Sequence, residues 1–146
     1  MPTNFVWQFT YLDEIEKWQD GAKVSHSLNA KTETGEDGIT FNKETNRAIT
    51  GLWIYHYSDK WWDETPYKDG KKHGREKSYL SSKLTAETPY KDGQRHGLRK
   101  AYYKSGKLSH EEPYKNGKWH GARKIYNEEG LIIGTDLYKD GELVEE

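Results

Sequence analysis

Three histidines and three glutamates recur along this chain at intervals that invite a chemical reading. His73, His96 and His120 stand 23 and 24 residues apart, and Glu64, Glu87 and Glu111 repeat at the same intervals. Histidines in one column suggest a metal centre, and paired carboxylates suggest glycoside hydrolysis. The elements that carry them decide between chemistry and architecture. A fixed period of this length builds stacked units that bury their faces against neighbours. Two strands per unit, each about 4.8 Å from the next, return a column roughly every 9–10 Å. Ligands of one zinc ion need nitrogens within about 4 Å of one another, given bonds near 2.0–2.1 Å. The histidine column therefore reads as packing: a ring on its neighbouring repeat, or a donor to a turn carbonyl. His26, His56 and His110 have no partner at ligand spacing either.

The glutamates meet the separation of about 5–10 Å used by glycosidases. A ladder of Glu with Lys on the neighbouring strand gives the same recurrence. The chain has no Gly-rich phosphate loop and no Ser or Cys in a nucleophile motif. The expectation is a non-enzymatic chain with no catalytic residues, no metal and no cofactor.

The repeat itself is nearly literal. PYKDGKKHG at 66–74, PYKDGQRHG at 89–97 and PYKNGKWHG at 113–121 are followed by a worn copy, LYKDG, from Leu137. Asp-Gly and Asn-Gly supply the positive φ angles of a type I′ hairpin turn. Pro66, Pro89 and Pro113 sit near strand ends, where a missing N–H is tolerated. After each repeat glycine (Gly51, Gly74, Gly97, Gly121) comes a β-favouring run whose sixth position is His56, Tyr79, Tyr102 or Tyr126. The next apolar column then reads Trp61, Leu84, Leu108 and Ile132, which aligns Trp62 with Thr85, Ser109 and Ile133. In this alignment the first two copies are one residue shorter at the turn. The expected fold is all-β: a meander of about eight short strands over 51–146, stacked as hairpins in an elongated twisted sheet.

The order Tyr-Lys-Asp/Asn-Gly-Lys-x-His-Gly, then an aromatic strand, resembles the bacterial variant of the MORN repeat (membrane occupation and recognition nexus). The resemblance covers about 40–146. EDGITFNKETNRAITG (36–51) looks like that family's opening unit, with Thr-Gly in place of His-Gly. Many members of the family are antitoxins or are encoded beside polymorphic toxins. The resemblance implies a partner protein, a toxin or effector, neutralised by direct complex formation.

Composition agrees with a thin sheet. Leu, Ile and Val together number 20, and Trp, Tyr and Phe also number 20 among 146 residues. Large rings bury roughly 150–250 Å² each, so few are needed per strand. Cysteine is absent, which excludes disulfides and thiol chemistry. The start MPTNFVWQFTYLDE shows neither a signal peptide nor a membrane span, so the expected location is cytoplasmic. Residues 1–35 match no repeat and read as a cap on the array at 36–146. Phe5, Trp7, Phe9 and Tyr11 alternate as in a strand, Asp13 to Trp18 suit one or two helical turns, and Val24, His26 and Leu28 alternate again.

Charge is segregated. Residues 1–66 carry 6 basic and 11 acidic side chains, residues 67–127 carry 16 and 6, and residues 128–146 carry 1 and 7. The basic middle has two readings. Lysines on turns and edges keep a thin sheet soluble. Alternatively Lys71, Lys72, Arg75, Arg95, Arg99, Lys100, Arg123 and Lys124 form an anion-binding stripe for a membrane surface. Nucleic acid is disfavoured, because Lys leads and no single-strand-binding motif appears. For a protein partner the expected anchors are Trp53, Tyr57, Trp62 and Trp119. Trp62 and Trp119 break the composition of their columns, which suggests that packing does not need them.

Overall fold

In the computed structural model, residues 5–9, 15–19, 22–25, 32–42 and 45–144 are described. All the elements among them are strands. Three strands lie near the N-terminus: β1 (Phe5–Phe9), β2 (Ile15–Gln19) and β3 (Ala22–Ser25). A small sheet follows, of β4 (Thr32–Thr34), β5 (Thr40–Asn42) and β6 (Arg47–Ala48). Four units then repeat one plan. The first has β7 (Gly51–His56), β8 (Trp61–Lys68) and the two-residue β9 (Lys71–Lys72). The second has β10 (Gly74–Leu80), β11 (Lys83–Lys91) and β12 (Gln94–Arg95). The third has β13 (Gly97–Tyr102), β14 (Leu108–Lys115) and β15 (Lys118–Trp119). The fourth has β16 (Gly121–Tyr126), β17 (Ile132–Lys139) and β18 (Glu142–Leu143).

The eight long strands form a meander in sequence order, β7-β8-β10-β11-β13-β14-β16-β17, antiparallel throughout. β9, β12 and β15 pair only with the ends of their own units' long strands, off the main path. β1 joins β7 in parallel, with Trp7 opposite Trp53, and β2 and β3 extend that edge. The helical turns expected at Asp13 to Trp18 are overturned for Ile15–Gln19. That stretch is a strand paired on both sides, and two ladders outweigh a weak local helical tendency. Tyr11, Asp13, His26 and Leu28 lie outside the described residues.

The hairpin chemistry is as expected. Asp69, Asp92, Asn116 and Asp140 have φ of 50–53°, and the glycine after each is also positive, as a type I′ turn requires. The repeat glycine serves a second purpose. Gly97 has φ +113°, and a Cβ there would lie 3.2 Å from Cγ of Pro89. Gly74, Gly97 and Gly121 each sit against the proline ring of the preceding unit, with φ of 113–117°, so a side chain there would be strained and would press on that ring.

The period of 23 in the first two units has two causes. Bulges interrupt the ladders at Ser78/Tyr79, Ala101/Tyr102 and Ile125/Tyr126. The first hairpin runs without a shift, His56 opposite Trp62 and Tyr55 opposite Asp63. The first unit is short because it lacks the bulge residue, and the second because its turn is tighter. Thr85, Ser109 and Ile133 are the extra residues of the bulges. Trp62 therefore belongs with Leu84, Leu108 and Ile132, each opposite the sixth position, and the alignment through Trp61 is overturned.

Candidate interaction surfaces

Successive units are tied by a recurring pair of hydrogen bonds. The turn glycine of each unit donates its N–H to a carbonyl of the previous unit: Gly70 to Ile49, Gly93 to Lys72, Gly117 to Arg95, and Gly141 to Trp119, all at 2.7–2.9 Å. The residue before that glycine donates its N–H to a side chain. Asp92, Asn116 and Asp140 each donate to Nδ1 of His73, His96 and His120 at 3.4 Å. Asp69 donates to Oγ1 of Thr50 at 2.9 Å. The histidine column thus faces the next turn rather than a carbonyl, and at His96 Nδ1 accepts that turn's amide, which leaves the proton of the neutral ring on Nε2. At His73 and His120 the same nitrogen also lies 3.2 Å from the Asp92 and Asp140 carboxylates, to which a protonated Nδ1 donates. Thr50 fills the same place in the unit where Thr-Gly replaces His-Gly.

A second column also reaches forward. Lys72 Nζ lies 4.9 Å from the centre of the Tyr90 ring, and the Arg95 guanidinium lies 5.3 Å from that of Tyr114. Trp119 follows, its ring 4.7 Å from that of Tyr138 and 6.2 Å from that of Tyr114. The Arg123 guanidinium lies 5.9 Å from the centre of the Trp119 ring, and the buried indole N–H has no acceptor among the described residues. Trp119 is half-buried against the Tyr114 and Tyr138 rings, so the reading that packing does not need it is overturned. Lys, Arg and Trp are three solutions to one task, covering the next repeat's tyrosine by cation–π or ring contact.

The other expected anchors divide. Trp53 is 2% exposed and belongs to the core beside Thr65, its cross-strand partner. Trp62 stacks on Tyr79, centroids 5.2 Å apart and planes 13° off parallel. Only Tyr57 is open, at 57%. Its hydroxyl donates to Asp63 at 3.0 Å, and burial, then the Asp63 charge, pushes its pKa up. Its neighbour is Trp61, 50% exposed, edge-on at 6.5 Å. Leu80, opposite Trp61 in register and 45% exposed, completes an apolar patch. Of the adjacent pair Trp61 and Trp62, the sequence singles out Trp62 as the one that packing does not need; with the bulge missing, Trp62 packs on Tyr79 and Trp61 is the open ring.

Most cations of the anion-binding reading have partners inside the sheet. Lys72 donates to Glu76; burial opposes its charge, but Glu76 outweighs that and raises its pKa. Arg75 approaches Glu87 at 3.8 Å, and Arg99 pairs with Glu112 at 2.6 Å. Arg123 bridges Glu112 at 3.6 Å and Asp136 at 2.9 Å. Lys71, Lys100 and Lys124 make no ion pair among the described residues.

An alternating row also crosses the sheet, Glu64–Lys77–Glu87–Lys100–Glu111–Lys124, each residue opposite the next in register. The ladder exists in backbone register, but its carboxylates take hydrogen bonds from tyrosines. Tyr79 donates to Glu64 at 3.3 Å, Tyr102 to Glu87 at 2.8 Å and Tyr126 to Glu111 at 2.9 Å. Burial, then Glu87, pushes the Tyr102 phenol up to about 12. No group of three His, Cys, Asp or Glu among the described residues could hold a metal ion. No helix there is long and apolar enough to cross a membrane.

The links between units, their spacing and their turns are those of one repeat type. Residues 95–116 match the family model of the MORN repeat variant. That match takes in the last residue of β12 and the whole of β13 and β14, just short of one repeat period. No curated protein and no solved structure matches the chain. A sheet of hairpins in sequence order is consistent with MORN-like repeats and suggests a protein-binding scaffold, and that repeat family is generally non-catalytic.

Proposed function

We propose that this chain is a protein-binding repeat scaffold whose partner is a co-encoded bacterial toxin, neutralised in the cytosol by direct complex formation. The reading is carried by the Tyr57–Trp61–Leu80 patch. The sheet spends Trp53, Trp62 and Trp119 on its own packing, yet leaves one Trp and one Tyr half open at a hairpin end. Large amphipathic rings of this sort anchor protein interfaces. The resemblance to bacterial MORN-variant antitoxins supports a toxin as the partner. Charge constrains it: the basic stretch 67–127 has the wrong sign for the basic groove of a nuclease toxin, so such a partner would be gripped away from that groove or by the acidic segments 1–66 and 128–146.

The rival reading, an adaptor on anionic lipid, draws less support. Four of its eight cations, Lys72, Arg75, Arg99 and Arg123, already face carboxylates.

Co-expression with the protein encoded next door is the test. The expected result is a stoichiometric complex and loss of toxicity, both abolished by Tyr57→Ala with Trp61→Ala at an unchanged melting temperature. A neighbour that is harmless alone, or that never co-purifies, overturns the toxin reading. Sedimentation with anionic liposomes at low salt would favour the adaptor instead.

A further inference from the structure

The fourth unit keeps the turn but changes the columns that receive the next unit. The His73, His96, His120 column ends in Val144, and the Lys72, Arg95, Trp119 column ends in Leu143. The prolines give way to Leu137, the row glutamates to Thr135, and the bulge residues Thr85 and Ser109 to Ile133. Val144 repeats the backbone bond of the histidines, donating to the Leu137 carbonyl at 2.8 Å as His120 does to Pro113 at 2.9 Å. The scaffold is therefore intact while its side chains are exchanged. Val144 cannot accept a turn amide, so this end is not built to receive another copy of the repeat. Ile132, Ile133, Leu137 and Leu143 are 53, 64, 51 and 54% exposed. Among the described residues, β17 is paired along its outer side only at Tyr138 and Lys139. From Ile132 to Asp136 its backbone faces outward.

An open edge that carries exposed aliphatic side chains is a template for an added strand. The array shows what kind of strand suits that edge. Its own strands docked at the equivalent place are β10, β13 and β16, which bring Arg75 and Lys77, Arg99 and Lys100, and Arg123 and Lys124. Between residues 128 and 144 this unit carries five carboxylates, Glu128, Glu129, Asp136, Asp140 and Glu142, against Lys139, while the cations Arg123 and Lys124 lie on the inner neighbour β16. A second copy of the same edge would bring like charge to like charge.

We infer that the outer edge of β17 is a docking site for a basic, aliphatic β-strand of a partner protein, added antiparallel along Ile132–Asp136. The inference rests on the protein-binding reading, but not on the partner being a toxin.

A capped peptide copying residues 97–103 (GLRKAYY) is the probe, titrated into the full chain and followed by amide chemical shifts. Shifts are expected at 131–136. Affinity should fall at least tenfold for the peptide carrying Arg99→Glu and Lys100→Glu. It should fall similarly for the chain carrying Ile133→Lys, or Ile133→Thr, which restores the residue type of Thr85 and spares the fold. Absence of shifts at this edge, or equal binding of both peptides, overturns the inference. A concentration-dependent dimer dissolved by Ile133→Lys overturns it too, by making a second copy the occupant. Complex formation lost in Trp61→Ala but kept in Ile133→Thr would sink this edge and leave the scaffold reading standing.

Discussion

The ring nitrogen Nδ1 of His96 accepts the backbone N–H of Asn116, one repeat further on, at 3.4 Å. The bond fixes a turn of one unit to the end of the previous one. His96→Ala removes the acceptor and should cost about 0.5–1.5 kcal/mol, the net worth of one hydrogen bond. His96→Thr, imitating Thr50, should recover part of the loss. Urea melts of the three proteins check this, and equal stability of His96→Ala and the parent would dismiss the clamp.

Turn glycines should differ sharply in tolerance. Gly70 and Gly117 both have positive φ, so alanine strains both by about 1 kcal/mol. A Cβ on Gly70 would also meet Ile39 Cγ2 at 2.5 Å and the Thr40 carbonyl at 2.7 Å, whereas Gly117 faces open space. Gly70→Ala should therefore lower the melting temperature well beyond Gly117→Ala. Indistinguishable melts would contradict the stacking of β5 and β6 on this turn.

The tryptophans should sort by environment. Trp53→Ala, in the core, should cost about 3–5 kcal/mol. Trp62→Ala and Trp119→Ala lose ring contacts and should also lower the melting temperature. Trp61→Ala should leave melting within about 0.5 kcal/mol of the parent while weakening partner binding. Thermal melts of the four variants, with binding measured alongside, separate packing rings from the open one.

Much of this arrangement is legible in the sequence, and what is hidden has an identifiable cause. Asp-Gly and Asn-Gly announce their turns because positive φ is a local property of those residues. The period reveals stacking because it repeats in the chain. Trp61 and Trp62 are different. Their faces depend on whether a bulge residue is present, and one residue of slip reverses a strand's faces. The pairing of Arg99 with Glu112 is equally invisible, since the pattern shows charge and not register. Trp119 looks out of place in a charged column until its task, covering Tyr138, is seen.

Alkaline pH should expose the Tyr102–Glu87 bond. An ordinary phenol titrates near 10, and Tyr102 is pushed up to about 12 in the fold, by burial first and Glu87 second. The folded state thus favours the protonated phenol. Its stabilising contribution is whole below pH 10 and fades as pH rises from about 10 to 12, where the unfolded chain releases the proton first. Melting temperatures taken from pH 9 to 12 should fall more steeply for the parent than for Tyr102→Phe. Parallel curves would count against the bond.

The amide that Gly93 gives to Lys72 recurs as Gly117 to Arg95 and Gly141 to Trp119. Each junction between units joins this backbone bond to the same few columns, His and Lys, Arg or Trp, which a copied segment carries with it. Tandem duplication of the segment from Gly97 to His120 would create a junction of the same kind on both sides. Length in this architecture is thus a heritable variable, open to change by unequal recombination without redesign of the neighbours. The edge residues at the far end, beginning at Ile132, can diversify while the middle is merely copied.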